Sequence, residues 1–91
     1  MMQCHKMNVQ GKVQGVFFRK HTQLMAIKYG IKGWVKNETD GSVSIEAVGE
    51  EEAIKNFIAW CHKGPENANV SHVTSFKVDK IPQWVSFEIV R

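Results

Sequence analysis

A glycine-rich segment that leads into a helical pattern carries the clearest chemical signal in this 91-residue sequence. The segment, Gly11-Lys12-Val13-Gln14-Gly15-Val16, is typical of a loop, and Arg19 falls in the first turn of the helix predicted to follow. Such a loop presents several backbone N–H groups to one point, and a helix N-terminus adds about half a positive charge. The planar guanidinium of Arg19 suits the oxygens of a phosphate. The pattern therefore predicts either a phosphate cradle or a plain tight turn with an arginine facing solvent.

Motifs for metal-dependent or covalent catalysis are absent from the sequence. It has no His-Glu-x-x-His motif, no Cys/His cluster at zinc spacing, and no acidic cluster suited to Mg²⁺. It also has no Gly-x-Ser-x-Gly elbow, and the glycine-rich segment is not a Walker A loop. Cys4 and Cys61 are expected to be reduced structural thiols, and the four histidines are scattered. Any hydrolysis at the cradle is therefore expected to need no metal, no cofactor and no covalent intermediate.

Hydrophobic periodicity predicts the elements that would position the loop. In chain order these are a strand over 2–9, a helix over 18–29, strands over 31–37 and from Val43, a helix from Glu50 to Lys63, and strands over 70–78 and 84–90. Gly30 supplies a helix stop, and Asp40-Gly41 indicates a hairpin. This order predicts an α+β, ferredoxin-like βαββαβ sandwich, with two helices on one face of an antiparallel sheet and a short fifth strand.

Composition is that of an ordinary globular domain. Hydrophobic residues make up 43% and charged residues 23%, which excludes disorder, collagen and coiled coil and leaves one domain over 1–91. No apolar run approaches the roughly 18 residues of a membrane span, and the N-terminus has no signal pattern. The net charge of +3 mildly favours anionic ligands but is too small to indicate nucleic-acid binding. We therefore expect a cytoplasmic monomer.

Two segments resemble the motifs of the acylphosphatase family. The segment Val9-Gln10-Gly11-Lys12-Val13-Gln14-Gly15-Val16-Phe17-Phe18-Arg19 is similar to the first motif throughout. Gly33-Trp34-Val35-Lys36-Asn37, followed by Asp40-Gly41, Val43 and Gly49, resembles the second. The length and the order of elements also match, so the resemblance covers residues 3–91. Phe17 occupies a position that varies in this family and is often glycine.

This resemblance implies metal-independent hydrolysis of the carboxyl–phosphate bond of small-molecule acyl phosphates, with inorganic phosphate as product and competitive inhibitor. It implies that the phosphate is held by the backbone amides of Gln14, Gly15, Val16, Phe17, Phe18 and Arg19. The Arg19 guanidinium would clamp the phosphate, and the Asn37 side chain would position the attacking water. Without the resemblance, Asn37 would be interpreted as a hairpin residue.

Three other functions remain to be weighed. Ferredoxin-like sheets can bind RNA through exposed aromatic side chains, but the aromatic-rich RNA-binding strand motif is missing here. A metal chaperone is disfavoured because Met2-x-Cys4 has no second cysteine at the required spacing. The third alternative is a domain inside a larger enzyme, such as the hydrogenase-maturation carbamoyltransferases that the sequence also resembles. Since no zinc fingers or catalytic domain follow Arg91 in this sequence, we expect a free-standing enzyme.

Overall fold

Two helices pack on one face of a five-stranded sheet in the computed structural model, which describes all residues from 1 to 91. The elements are β1 (Met2–Lys12), α1 (Phe18–Tyr29), β2 (Lys32–Asn37), β3 (Val43–Glu50), α2 (Glu51–Lys63), β4 (Asn69–Val78) and β5 (Phe87–Val90). The predicted ferredoxin-like βαββαβ arrangement with a short fifth strand is confirmed, and α1 has the bounds predicted from its periodicity. Neither helix is long and apolar enough to cross a lipid bilayer.

The sheet is mixed, whereas the sequence analysis expected it to be antiparallel throughout. Its strand order is β4-β1-β3-β2-β5, and the first four strands form antiparallel pairs. The strand β5 instead lies parallel to β2. Three antiparallel pairings separate β4 from β2, so these two strands run in opposite directions. A chain that reverses after β4 and joins the far edge of the sheet therefore arrives parallel to β2.

Two strands, β1 and β5, differ from their predicted bounds by three residues because of their pairing partners. Pairing with β4 carries β1 past residue 9 to Lys12, with a register shift between Gln10 and Gly11. At the other edge, the first residue pair between β2 and β5 is Gly33 with Phe87, and before it only the carbonyl of Ser86 accepts a hydrogen bond from β2, from the Gly33 N–H. The strand predicted from residue 84 therefore begins at Phe87.

The core lies between the sheet and the helices and follows the predicted periodicities. Val43, Ile45 and Ala47 alternate along β3 and are all buried. On α2, Ile54, Phe57 and Cys61 are buried, while Ile58 of the predicted stripe is half-buried. Each fully buried aliphatic or aromatic side chain contributes roughly 1.5–3 kcal/mol relative to exposure. This packing fixes the helices against the strands whose ends carry the predicted site residues.

The first turn of α1 is anchored to the core by Phe18. Its side chain is buried, and its ring lies 5.7 Å from that of Trp60 on α2, centroid to centroid. The buried Thr22 hydroxyl donates a hydrogen bond of 2.7 Å to the carbonyl of Phe18 one turn earlier. These contacts fix the position of the start of α1. They therefore also fix one end of the loop between β1 and α1.

Candidate active site

A surface cavity of about 330 Å³ opens beside the start of α1 and the end of β2. The residues that line it are Val13, Gly15, Phe17, Phe18, Arg19, Lys20, Asn37, Ile89 and Arg91. Arg19 and Asn37, which lie far apart in sequence, are thus brought to one cavity. Of the other predicted cradle residues, Gln14 and Val16 do not line it. Val16 packs against the hydrophobic core instead.

The backbone between β1 and α1 has a shape that leaves its amides free. Gly15 has a φ of 75°, and Phe17, the N-cap of α1, has a φ of 60°. No side chain caps the helix, and its first turn contains no acidic residue. Among the backbone hydrogen bonds of turns, loops and caps, none has an amide between Gln14 and Arg19 as its donor. These N–H groups can therefore donate to an anion at the positive end of the helix.

The charged side chains around the cavity are all cationic. Arg19, Lys20 and Arg91 line it, and no aspartate or glutamate does. Arg19 is half-buried and forms no ion pair, since the two salt bridges of the protein lie elsewhere, at Met1–Glu50 and Lys55–Glu52. An anion in the cavity would therefore meet uncompensated positive charge, and the Arg19 fork could bind two of its oxygens.

Asn37 supplies an acceptor that the protein itself leaves unused. It is the last residue of β2 and shares a strand face with the buried Val35, two residues earlier, so it faces the helix layer. Its Oδ1 is buried and has no hydrogen-bond partner. A buried polar atom without a partner costs about 1–3 kcal/mol, so such an atom calls for an explanation. A water molecule or a ligand in the cavity would satisfy it.

The side chain of Gln14 ties the loop to the hairpin that follows Asn37. Its Nε2 donates hydrogen bonds to the carbonyl oxygens of Glu38 (2.8 Å) and Ser42 (2.9 Å). Both side-chain N–H groups are therefore engaged with the β2–β3 connection. The sequence analysis assigned Gln14 a role through its backbone amide and missed this link, because no local pattern shows which side chain meets a distant turn.

We expect Gln14→Ala to lower kcat for the hydrolysis that the sequence resemblance implies about tenfold, because it releases the hairpin that carries Asn37 while leaving the loop amides unchanged. Loss of the two hydrogen bonds should also lower the free energy of unfolding by about 1–3 kcal/mol. Steady-state kinetics and urea unfolding measure the two effects. The matched control is Gln10→Ala, since Gln10 makes one exposed bond to Asn8. Equal kcat for Gln14→Ala and the control would contradict the positioning role.

A second set of hydrogen bonds closes the hairpin from within. The Asp40 carboxylate accepts bonds from the Ser42 hydroxyl (2.6 Å) and the Ser42 backbone N–H (2.9 Å), and these bonds lower the pKa of Asp40. Asn8 on β1 donates to the same hydroxyl at 3.0 Å. Because the pKa of Asp40 is lowered in the folded state, ionised Asp40 stabilises the fold, and this stabilisation is complete above the ordinary pKa of the carboxyl. It is lost as the pH falls through the lowered value.

The remaining reactive residues lie away from the cavity. Cys4 and Cys61 are buried free thiols, and burial raises the pKa of both. None of the four histidines lines the cavity. No group of three or more His, Cys, Asp or Glu side chains is arranged to hold a metal ion. Lys20 and Arg91 also line the cavity, and the sequence did not predict this for either residue. No local sequence pattern could have placed Arg91 there, because it reaches the cavity only through the pairing of β5 with β2.

Comparison with known proteins agrees with the fold. The acylphosphatase family model matches residues 5–89. An acylphosphatase of Pelotomaculum thermopropionicum is 40% identical over 81 residues, which are 89% of this chain and 88% of that protein. Acylphosphatase from Bacillus subtilis has a crystal structure that superposes with a TM-score of 0.95 at 35% identity, covering 100% of both chains.

A larger protein contains a similar unit. The crystal structure of full-length HypF in the phosphate- and nucleotide-bound form matches with a TM-score of 0.92 at 32% identity. That match covers 100% of this chain and 12% of HypF. The family match, by contrast, spans most of this chain, and the two acylphosphatases are matched over most of their own length. The chain belongs to the acylphosphatase family.

Proposed function

We propose that this chain hydrolyses the carboxyl–phosphate bond of acyl phosphates in the cavity between α1 and β2. The phosphate lies on backbone amides of the segment from Gln14 to Arg19, of which Gly15, Phe17, Phe18 and Arg19 line the cavity, and is clamped by the Arg19 guanidinium. Asn37 orients the water that attacks phosphorus. The products are a carboxylate and inorganic phosphate, and inorganic phosphate competes with the substrate for the cradle.

The single observation that carries this proposal is the pairing of an anion site with an unused acceptor in one cavity. The free amides and Arg19 present donors and positive charge, while Asn37 Oδ1 is a buried oxygen without a partner. A phosphate needs donors, and a water in line with phosphorus needs an acceptor to orient it. Both requirements of a phosphoryl hydrolysis are therefore present on residues that the fold holds in place.

The leaving group explains why this set of residues suffices. An acyl phosphate releases a carboxylate, whose conjugate acid has a pKa near 4, as the Asp and Glu side chains do (about 3.9 and 4.3). Such an anion departs without protonation, so no general acid has to stand beside it. An alkoxide from a phosphomonoester is far more basic and would need one. The cavity lining has no aspartate, glutamate, histidine or cysteine side chain that could donate that proton.

Phosphoryl transfer requires mainly positioning and stabilisation of charge on the equatorial oxygens. The loop amides and Arg19 supply that stabilisation, and they are in place before the substrate arrives because Phe18 anchors the helix. The neutral amide of Asn37 is too weak a base to remove a proton, so its oxygen accepts a hydrogen bond from water and holds it in line. The proton of the water passes to a phosphoryl oxygen of the substrate.

The proposal also covers the setting in which the enzyme works. Residues 1–91 act as one acylphosphatase-like domain that is monomeric and cytoplasmic, without metal or cofactor. The physiological acyl phosphate is a small molecule, and the cationic lining of the cavity favours its dianionic phosphoryl group.

Hydrolysis of benzoyl phosphate beside p-nitrophenyl phosphate, both with EDTA present, tests the proposed reaction. We expect rapid turnover of the acyl phosphate and much slower turnover of the ester, because p-nitrophenoxide is a more basic leaving group than benzoate and no aspartate, glutamate, histidine or cysteine side chain lines the cavity to protonate it. Inorganic phosphate should raise KM for benzoyl phosphate without lowering kcat. Comparable hydrolysis of both substrates, or loss of activity on chelation, would contradict the proposal.

A further inference from the structure

Two features of Phe17 lower the stability of the folded protein. Its backbone lies in the left-handed region, with φ 60° and ψ 26°, and it is the one residue other than glycine with a positive φ. This conformation is unfavourable for a bulky L-residue. Its side chain is 76% exposed, so burial of the ring does not offset the strain. A backbone strain that no burial of the side chain offsets indicates that the side chain has a role.

The backbone role of Phe17 does not account for its ring. A glycine at this position would offer the same amide to a phosphate and would adopt the same φ without strain. The ring does not pack against the hydrophobic core, to which the neighbouring Val16 and Phe18 contribute. The phenyl group is therefore free to make contacts with something outside the protein.

Phe17 also has a distinctive place in the lining of the cavity. The four apolar residues there are Val13, Phe17, Phe18 and Ile89. Val13 and Phe18 are buried, each at 1% exposure, and Ile89 is half-buried. Phe17 is thus the one apolar lining residue whose side chain is mostly available to a ligand. It stands directly before Phe18 and Arg19, next to the amides that would hold a phosphate.

We propose that Phe17 is a specificity-determining residue whose ring contacts the acyl group of the substrate. The inference rests on the proposed function, in which the phosphoryl group lies on the amides around Phe17. In an acyl phosphate the acyl carbon is joined to phosphorus through a single oxygen, so the acyl group lies at the margin of the cradle where the ring projects. An aromatic or extended apolar acyl group gains contact with the ring, whereas an acetyl group is too small to gain as much.

The test compares benzoyl phosphate with acetyl phosphate on wild type, Phe17→Gly and Phe17→Asn. Glycine relieves the strain, and asparagine tolerates the left-handed backbone while keeping a side chain. Both variants should lower the ratio of kcat/KM for benzoyl phosphate to that for acetyl phosphate about two- to tenfold, the loss of one aromatic contact. Because both substrates share the phosphoryl group, the ratio cancels any change in the cradle itself.

The matched control is Phe76→Ala, since Phe76 on β4 is also exposed, at 59%, but does not line the cavity. The control should leave the ratio unchanged, and Phe17→Gly should raise the melting temperature. An unchanged ratio in both Phe17 variants, with both substrates still hydrolysed, would overturn this inference alone. Failure of the wild type to hydrolyse either substrate would overturn the proposed function and this inference with it.

Discussion

Arg19→Ala is expected to lower kcat/KM for benzoyl phosphate by about 10³-fold or more, the scale of an arginine that stabilises a transferring phosphoryl group. The cavity has two other cations, Lys20 and Arg91, but both of these side chains are exposed, whereas Arg19 is half-buried at the start of α1. The affinity for inorganic phosphate should fall as well, because the guanidinium contacts the phosphate in the ground state and in the transition state. Steady-state kinetics and calorimetric titration with phosphate measure the two losses.

Arg19→Lys should not restore the activity. Lysine keeps the charge but replaces a planar fork, which binds two phosphate oxygens, by a point charge. The matched control is Lys28→Gln, which removes an exposed cation from the same helix at a distance from the cavity. Robust hydrolysis by a folded Arg19→Ala protein, or full rescue by lysine, would contradict the role of the guanidinium.

Asn37→Ala is expected to lower kcat about 10²-fold while leaving the affinity for inorganic phosphate within about twofold of the wild type. The reason is that, in the proposed mechanism, Asn37 contacts the water, whereas the amides and Arg19 contact the phosphate. The variant should unfold at the same or a higher urea concentration, because the substitution removes a buried oxygen that has no partner in the protein. Kinetics, phosphate titration and urea unfolding measure these three quantities.

Asn56→Ala is the matched control for Asn37→Ala, since Asn56 is an exposed residue of α2 outside the cavity. It should leave kcat unchanged. A loss of phosphate affinity in Asn37→Ala as large as its loss of rate would place Asn37 on the phosphate rather than on the water. That result would contradict the proposal that Asn37 orients the water while Arg19 binds the phosphate.

Local patterns predicted the elements of this fold well. The apolar spacing over 18–29 predicted α1 to the residue, since Gly30 adopts the left-handed conformation that ends a helix. The strand alternation at Val43, Ile45 and Ala47 likewise predicted which face of β3 is buried. These features depend on side chains close in sequence, so the sequence alone shows them.

Features that depend on distant pairing were not predictable in the same way. The parallel alignment of β5 follows from which sheet edge the chain returns to, and no local pattern records that. The same pairing brings Arg91 to the cavity. The link from Gln14 to the carbonyls of Glu38 and Ser42 joins residues that are 24 and 28 positions apart. The strained φ of Phe17 is equally hidden, because a left-handed backbone is uncommon outside glycine.

The candidate site required both kinds of reasoning. Physical chemistry alone indicated that the glycine-rich loop and Arg19 form either an anion cradle or a plain tight turn, whereas Asn37 gained a role through the resemblance to the acylphosphatase motifs. The structure adds that Asn37 lines the same cavity as Arg19 and that its Oδ1 has no partner. Turn propensity alone could not show that Asn37 has a role in the site. An asparagine is also common in hairpins, and a partner that is water or substrate leaves no pattern in the sequence.

Hydrolysis of benzoyl phosphate in water enriched in ¹⁸O is the most direct test of the claim that water attacks the phosphorus held in the cradle. Mass spectrometry of the products after turnover shows which bond was cleaved. The account predicts that the label enters inorganic phosphate and that benzoate stays unlabelled, because the cradle holds phosphorus in line with the water. Label in benzoate would mean that water attacks the acyl carbon, and it would contradict the mechanism.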